Sequence, residues 1–274
     1  MTVIDAHHHL WRYNPAEYGW IGDHQAVIRR DFLPDHLAAD LHAAGVTGAV
    51  AVQARTAVVE TEWLLSLAIH HPEILGVVGW VPLASPQLRE ILDRFAGDPL
   101  LVGVREVAED NPGALDDPAL NRGIAALAEY SLCYDILVRE SQLPEATRLV
   151  DRHPEQLFVL DHIAKPRIRE GIIEPWASGL RALAERPNIV CKLSGLVTEA
   201  DYRQWTEAQL QPYFEVVLAA FGPERLMFGS DWPVCLLALD YQEWREIVGN
   251  AIARLSAAEQ AAIMGGTARR VYGL

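Results

Sequence analysis

The sequence contains few cysteines and few basic residues, and each shortage excludes a class of protein. Its three cysteines, Cys133, Cys191 and Cys235, form no CxxC pair, and their odd number is typical of reduced thiols in a cytosolic protein. Lysine and arginine number 23 against 37 aspartates and glutamates, which gives a formal net charge of -14. Because nonspecific nucleic-acid binding needs Lys and Arg to replace counterions, we expect no nucleic-acid partner.

Long hydrophobic runs and a glycine-rich phosphate loop are also missing. No stretch of about 18 apolar residues occurs, so the sequence predicts no membrane span. The first residues, MTVIDAHHHLW, show no basic region, apolar core or cleavage site of a signal peptide, and we expect a cytoplasmic protein. No GxGxxG follows the first predicted strand, which argues against a nucleotide cofactor and a dinucleotide-binding fold.

Apolar segments of strand length alternate with amphipathic segments of helical length. The predicted strands are rich in Val, Ile and Leu and show little polar alternation, which is typical of parallel strands buried on both faces. They span residues 3–9, 48–54, 75–82, 101–107, 132–138, 157–163, 189–194 and 226–231. Helical patterns span residues 34–44, 60–70, 86–95, 121–130, 144–152, 176–186 and 207–221.

Eight such alternations in a chain of 274 residues favour a closed barrel, which typically needs about 250 residues. We predict one α/β domain, residues 1–274, folded as a distorted (β/α)8 TIM-type barrel. An open doubly wound sheet is the alternative. The C-terminal stretch, residues 241–274, is predicted to form extra helices packed on the barrel.

Histidines at the end of the first predicted strand carry the strongest functional signal. In a strand, residues i and i+2 point the same way, so His7 and His9 can together bind one divalent ion or one substrate group, whereas His8 points away. Asp231 ends the last predicted strand, in the segment GSDWP. Because the first and last strands of a closed barrel are neighbours, we expect Asp231 to face both histidines. A structural histidine cluster and a helix-capping aspartate are the alternatives.

Other polar and aromatic side chains also fall at the C-terminal ends of the predicted strands, where barrel active sites lie. The polar candidates are Gln53, Arg105, Glu106, His162, Lys165 and Lys192, and the tryptophans are Trp11, Trp20, Trp80 and Trp232. A flat apolar face backed by hydrogen-bonding groups suits a sugar ring, and structural salt bridges or core packing are the alternative.

The motif DAHHH on the first predicted strand and GSD on the last resemble the signature pair of the amidohydrolase superfamily. The resemblance covers nearly the whole chain and is closest to the branch of sugar-acid lactonases and 2-pyrone-4,6-dicarboxylate lactonases. The segments VGVRE, LDHIAKP, VCKLSGLVTEADY and RLMFGSDWPVCLLA look most like L-fuconolactone hydrolases. The resemblance implies hydrolysis of L-fuconolactone, or of a related L-rhamnono- or L-galactonolactone, to the aldonic acid.

Departures from the wider superfamily bear on the metal. Binuclear members carry a carboxylated lysine on the fourth strand, and many carry a histidine on the fifth. Here the fourth strand offers Arg105 and Glu106, and the fifth reads CYDILVRE. The resemblance therefore implies no required cofactor, or one divalent ion, Zn2+ above all, bound by His7, His9 and Asp231. Relatives in this branch often have histidine in place of Glu106, so the role of Glu106 stays open.

A lactone carbonyl needs an activated water, a stabilised oxyanion and a proton for the leaving alkoxide. We expect Asp231 to act as the general base and to pass the proton to the ring oxygen. The other predicted catalytic residues are His7, His9 and His162. The oxyanion would be stabilised by these histidines, by a cation such as Lys165, or by one Zn2+. The predicted substrate contacts are Arg105, Lys165, Trp20 and Gln53.

Three alternative functions remain open from the sequence. A pyrone-dicarboxylate lactonase would need several arginines to pair with carboxylates, and Arg55, Arg105 and Arg139 fall near strand ends. A decarboxylase of the same superfamily would need a firmly bound metal. A non-catalytic sugar-acid binder would need no positioned base. The expected partner is a small molecule, with no membrane association, and a homodimer is compatible with the sequence.

Overall fold

Eight parallel strands form one sheet that closes into a barrel in this computed structural model, which describes residues 2–274. The strands are β1 (Ile4–His8), β2 (Gly48–Val52), β3 (Ile74–Gly79), β4 (Leu101–Val107), β5 (Cys133–Leu137), β6 (Phe158–Leu160), β7 (Ile189–Leu193) and β8 (Leu226–Phe228). They pair in chain order from β1 to β8. A parallel bridge between His8 and Trp232 joins the last segment to the first. The predicted (β/α)8 TIM-type fold is confirmed.

Helices connect successive strands, and their sequence signals agree with the observed ends. They are α1 (Pro34–Ala44), α2 (Val58–His70), α3 (Leu88–Phe95), α4 (Pro118–Leu127), α5 (Leu143–Arg152), α6 (Trp176–Ala184) and α7 (Glu207–Phe221). α1 begins at Pro34, whose fixed φ suits a first turn, and is followed by Gly45 in the left-handed conformation at φ 67°. Among residues 2–274, no helix is both long and apolar enough to cross a membrane.

Three further helices follow β8, as the sequence predicted: α8 (Tyr241–Ala251), α9 (Ala257–Ala261) and α10 (Thr267–Tyr272). One buried apolar cluster takes members from every strand, Ile4 and Val190 among them, and from α10. Cys133, the first residue of β5, donates its S–H to the Val271 carbonyl of α10 at 3.2 Å. α10 therefore packs against the N-terminal end of the barrel, opposite the end where such barrels place their active sites.

Every strand except β4 is shorter than predicted, and in β6 and β8 this changes where the polar residues lie. β6 ends at Leu160 and β8 at Phe228, whereas the sequence predicted strands to residues 163 and 231. His162 and Asp231 instead adopt left-handed backbone, with φ of 51° and 59°. Such a conformation costs a non-glycine residue about 1–2 kcal/mol, but it frees these side chains from the strict alternation of a strand.

Candidate active site

The four predicted catalytic side chains meet at the C-terminal end of the barrel. The Nε2 atoms of His7, His9 and His162 lie 3.7, 3.5 and 3.8 Å from Oδ1 of Asp231. The Nε2 atoms of His7 and His9 are 3.2 Å apart. The spacing of two residues, from His7 in β1 to His9 directly after it, therefore brings both imidazoles to one side, as the sequence predicted.

The segment that carries Asp231 is held against β1 by Asp5. The Asp5 carboxylate accepts hydrogen bonds from the Ser230 N–H at 2.8 Å, the Ser230 hydroxyl at 2.6 Å and the Tyr241 hydroxyl at 2.9 Å. The Asp231 N–H donates to the His7 carbonyl at 2.8 Å. Burial raises the pKa of Asp5 to about 6, although these donors oppose the shift. Together these bonds hold the left-handed Asp231 beside the histidines.

His162 is positioned by a left-handed turn and a neighbouring glycine. Residues 162–165 all have positive φ, between 47° and 62°. His162 Nδ1 lies 2.9 Å from the Ser194 hydroxyl, so Ser194, and not the adjacent Asp161, orients the ring. The packing at Gly195 is so close that a Cβ there would lie 2.6 Å from His162 Nδ1. Only glycine fits this position without moving the imidazole.

A network of buried charges lies beneath the histidines. Lys192 Nζ lies 2.5 Å from Asp135 Oδ2, 3.0 Å from Asp161 Oδ1 and 3.2 Å from His7 Nδ1. Arg105 Nη1 donates to Asp161 Oδ2 at 2.9 Å. The side chains of Lys192, Asp135 and Asp161 are fully buried. Because desolvation of a lone charge is costly, these groups depend on one another for folding as well as for geometry.

Burial and neighbouring charges determine the ionisation of the site. Burial lowers the pKa of His162 to about 4, so His162 is neutral near pH 7. Burial also lowers the pKa of His7 well below the ordinary histidine value. Burial opposes the charge of Asp231, yet His162 and His9 lower its pKa below the ordinary aspartate value. At neutral pH the Asp231 carboxylate therefore stands beside the neutral imidazoles of His7 and His162.

The donor set fits a divalent metal ion. Nε2 of His7, Nε2 of His9 and Oδ1 of Asp231 lie 3.2–3.7 Å from one another. Ligands at 2.0–2.2 Å from a tetrahedral zinc lie roughly 3.3–3.6 Å apart. His162 belongs to the same cluster, because His7, His162 and Asp231 offer ligand atoms within 4.8 Å of one another. The sequence predicted His162 as a catalytic residue but not as a possible ligand.

A cavity of about 460 Å³ opens beside this cluster. It is lined by all four predicted substrate contacts, Trp20, Gln53, Arg105 and Lys165, together with His9, His162 and Asp231. Trp20 is 45% exposed and so offers an accessible aromatic face. Side chains that the sequence did not single out also line the cavity, among them Gln25, Glu109, Asp110, Thr198, Glu199 and Tyr202.

Several other residues near strand ends make structural contacts and do not line the cavity. The indole N–H of Trp80 donates to Glu106 at 3.1 Å, and neither side chain is among those that line the cavity. Glu106 thus ties β4 to the end of β3, which answers the question left open at this position. Trp11 and Trp232 are buried. Burial raises the pKa of Cys235 well above its ordinary value, so this thiol is not an activated nucleophile.

The sequence analysis missed residues that only the tertiary fold brings to the site. The Tyr272 hydroxyl of α10 donates to Asp135 Oδ2 at 2.9 Å, and no motif marks this tyrosine. Lys165 donates to Glu109 at 2.5 Å across the cavity rim. Asp135 did offer a signal, because a carboxylate inside the buried strand CYDIL requires a buried cation, and Lys192 is that cation.

The fold and the site define a (β/α)8-barrel enzyme of the amidohydrolase type, with a histidine–aspartate centre. The chain belongs to the amidohydrolase family, whose model matches residues 4–274. The family predicted from the motifs on the first and last strands is therefore confirmed.

Named relatives share nearly the full length of the chain. An L-fucono-1,5-lactonase from Burkholderia multivorans is 45% identical over 99% of this chain and 96% of its own length. An L-fucono-1,5-lactonase from Burkholderia ambifaria is 37% identical over 88% of this chain and 84% of its own. The crystal structure of a Burkholderia multivorans amidohydrolase with bound zinc has a TM-score of 0.97 and 44% identity, with 100% of both chains covered.

Proposed function

We propose that this protein hydrolyses a sugar lactone to the aldonic acid, with L-fucono-1,5-lactone as the leading substrate and L-rhamnono- and L-galactonolactones next. The sequence predicted a lactonase, and the two L-fucono-1,5-lactonases that share 45% and 37% identity with the chain bear that prediction out. The observation that carries the choice of substrate class is the charge balance of the cavity beside Asp231.

The cavity favours an uncharged, hydroxyl-rich substrate. Its charged lining comprises three cations, Arg105, Arg139 and Lys165, and four carboxylates, Glu109, Asp110, Glu199 and Asp231. Lys165 lies 2.5 Å from Glu109, and Arg139 lies 3.2 Å from Asp110. Arg105 lies 2.9 Å from Asp161. Paired donors and acceptors suit hydroxyl groups, which donate and accept.

The same balance argues against both enzymatic alternatives. A pyrone dicarboxylate needs cations that are free to pair with its carboxylates. Here every cation that lines the cavity already has a carboxylate within 3.2 Å. A decarboxylase substrate also carries a carboxylate and would meet the same net negative lining.

Asp231 is the proposed general base. Its lowered pKa keeps it a carboxylate at neutral pH, the form that can take a proton from water. The water oxygen then attacks the lactone carbonyl and forms a tetrahedral intermediate. Collapse of this intermediate breaks the bond between the carbonyl carbon and the ring oxygen, and the proton held by Asp231 passes to that oxygen.

His162 is the proposed donor to the oxyanion, with His9 and Lys165 nearby on the cavity wall. The Ser194 hydroxyl can donate to Nδ1 of His162, which leaves the imidazole proton on Nε2. That Nε2 lies 3.8 Å from Asp231 Oδ1. It is therefore within reach of the oxyanion that develops on the lactone carbonyl when the water activated by Asp231 attacks. A preorganised donor in a dry site is the usual source of such stabilisation.

His7, His9 and Asp231 are the proposed ligands of one zinc ion, with His162 adjacent. When bound, zinc polarises a carbonyl or lowers the pKa of water. The chain's own part is to orient the donors, because the His9 Nδ1–H donates to the Val52 carbonyl at 2.8 Å and so turns Nε2 toward the site.

Proton release from a panel of lactones tests the proposal. The panel contains L-fucono-1,5-lactone, L-rhamnono- and L-galactonolactones and 2-pyrone-4,6-dicarboxylate, each with and without a chelator. We expect turnover of a sugar lactone to exceed turnover of the dicarboxylate. Preferred hydrolysis of the dicarboxylate would contradict the charge argument, and activity that is lost on chelation and restored by zinc would make the metal essential.

Asp231→Asn tests the general base. We expect kcat to fall by about 10²–10⁴-fold, with little change in folding stability because asparagine has nearly the same shape and tolerates left-handed backbone. Asp151→Asn is the matched control, since Asp151 does not line the cavity and its side chain is 51% exposed, and it should keep its turnover. Near wild-type kcat in Asp231→Asn would remove Asp231 from the mechanism.

A further inference from the structure

His7 has two available partners at its inner nitrogen. Nδ1 lies 3.2 Å from Lys192 Nζ, which donates hydrogen bonds, and 3.3 Å from Asp161 Oδ1, which accepts them. A neutral imidazole carries its proton on one nitrogen only. The partner at Nδ1 therefore decides whether Nε2, the nitrogen that faces His9, donates or accepts.

The hydrogen bonds of His9 determine that choice. The Val52 carbonyl can only accept, and His9 Nδ1 lies 2.8 Å from it, so His9 carries its proton on Nδ1 and presents a lone pair at Nε2. His7 Nε2 lies 3.2 Å from that lone pair. A hydrogen bond between the two nitrogens requires the proton on His7 Nε2. His7 Nδ1 then carries the lone pair that accepts from Lys192.

The alignment at Asp161 agrees with this assignment. Lys192 Nζ lies 3.0 Å from Asp161 Oδ1, nearer than His7 Nδ1 at 3.3 Å, so this carboxylate oxygen has a donor without the imidazole proton. One contact favours the other tautomer, because the donor Arg105 Nη1 lies 3.4 Å from His7 Nε2. That contact is longer, and Nη1 already donates to Asp161 Oδ2 at 2.9 Å.

We propose that Lys192 is a positioning residue that holds His7 as the Nε2–H tautomer when no metal is bound, and that zinc binding moves this proton to Nδ1, where Asp161 Oδ1 accepts it. The imidazole stays neutral, because one N–H bond breaks at Nε2 and one forms at Nδ1 by exchange with water. Lys192 thereby competes with a metal ion for His7. When no metal is bound, it keeps His7 in the tautomer that donates to His9. Any effect of this tautomer on catalysis rests on the proposed lactone hydrolysis, whereas the tautomer itself does not depend on which reaction the enzyme performs.

Side-chain ¹⁵N spectra of the full chain, freed of metal by a chelator, test the tautomer directly. We expect His7 to be protonated at Nε2 and unprotonated at Nδ1, with its signals assigned by their loss in His7→Gln. Addition of zinc alone should interchange the two nitrogens. A metal-free His7 protonated at Nδ1 would overturn the proposal, whichever substrate the enzyme hydrolyses.

Lys192→Met removes the donor, and Tyr272→Phe is its matched control, because it removes a different hydrogen bond to Asp135. In Lys192→Met we expect His7 to be protonated at Nδ1 and the Kd for zinc to fall by about tenfold, the effect of losing one hydrogen bond to a charged group. Tyr272→Phe should keep the wild-type tautomer.

The tautomer is the discriminating result, because removal of any nearby positive charge also tightens zinc binding. If Lys192→Met does not fold, Lys192→Met combined with Asp135→Asn removes both buried charges and allows the same comparison. An unchanged His7 tautomer in the folded lysine variant would overturn the proposal, even if the Kd for zinc falls.

Discussion

The placement of His162 depends on a glycine that no motif marks. Gly195 has φ +71°, and a Cβ there would lie 2.6 Å from Nδ1 and 2.7 Å from Cγ of His162. These separations are far below van der Waals contact. Gly195→Ala must therefore push the imidazole away from the Ser194 hydroxyl, which now lies 2.9 Å from Nδ1.

Two separable costs give the expected magnitude for Gly195→Ala. Alanine in the left-handed conformation costs about 1–2 kcal/mol, and loss of the hydrogen bond between His162 and Ser194 costs about 1 kcal/mol more. We expect the free energy of unfolding to fall by about 2–3 kcal/mol. We expect kcat/KM to fall by about 10²-fold, because a displacement of about 1 Å in the site can cost that much.

Urea denaturation and lactone hydrolysis measure the two costs separately. Gly171→Ala is the matched control, since Gly171 has φ +65° and no described atom lies within 4 Å of its Cβ. It should lose about 1–2 kcal/mol of stability and keep its kcat/KM. In a His162→Gly background, which also removes the Cβ that would lie 2.9 Å from the new methyl group, Gly195→Ala should cost only the backbone strain. Equal stability losses with and without His162, or an equal loss of activity in Gly171→Ala, would refute the reasoning.

Three further predictions concern groups outside this contact. Burial raises the pKa of Glu60 to about 7 from 4.5. The folded state then holds this proton more tightly than the unfolded state. The contribution of Glu60 to the free energy of unfolding is therefore most favourable below pH 4.5, and up to about 3 kcal/mol of it is lost as the pH rises toward 7. Urea denaturation at several pH values across this range should show that the free energy of unfolding depends less on pH in Glu60→Gln than in wild type. Identical slopes would contradict the burial argument. Lys165→Met removes a cationic donor from the cavity and should raise KM by about tenfold in initial-rate assays, the effect of one charge-assisted hydrogen bond, whereas an unchanged KM would exclude Lys165 as a substrate contact. Cys133, Cys191 and Cys235 are buried, so native protein treated with iodoacetamide should keep its activity and show no adduct by mass spectrometry, and rapid labelling would contradict their burial.

The barrel and the centre of its site followed from the sequence alone. Repeated apolar runs separated by helical patterns predict parallel strands buried on both faces, and eight such alternations in a chain of this length favour the closed barrel over an open doubly wound sheet. In a closed barrel the C-terminal ends of all strands converge. Polar residues at those ends, such as His7, His9 and Asp231, could therefore be placed together although they are far apart in the chain.

The charge that the cavity presents was decided only by the tertiary structure. The sequence offered Arg55, Arg105 and Arg139 as possible partners of a dicarboxylate, but Arg55 lies 2.6 Å from Glu17 and the other two also contact carboxylates. Long-range ion pairs depend on which side chains the folded backbone brings within about 4 Å, and no local pattern reports this. The left-handed turn that carries His162 and the contact between Lys192 and His7 were hidden for the same reason, since the bonds from His162 to Ser194 and from Lys192 to His7 join residues distant in the chain.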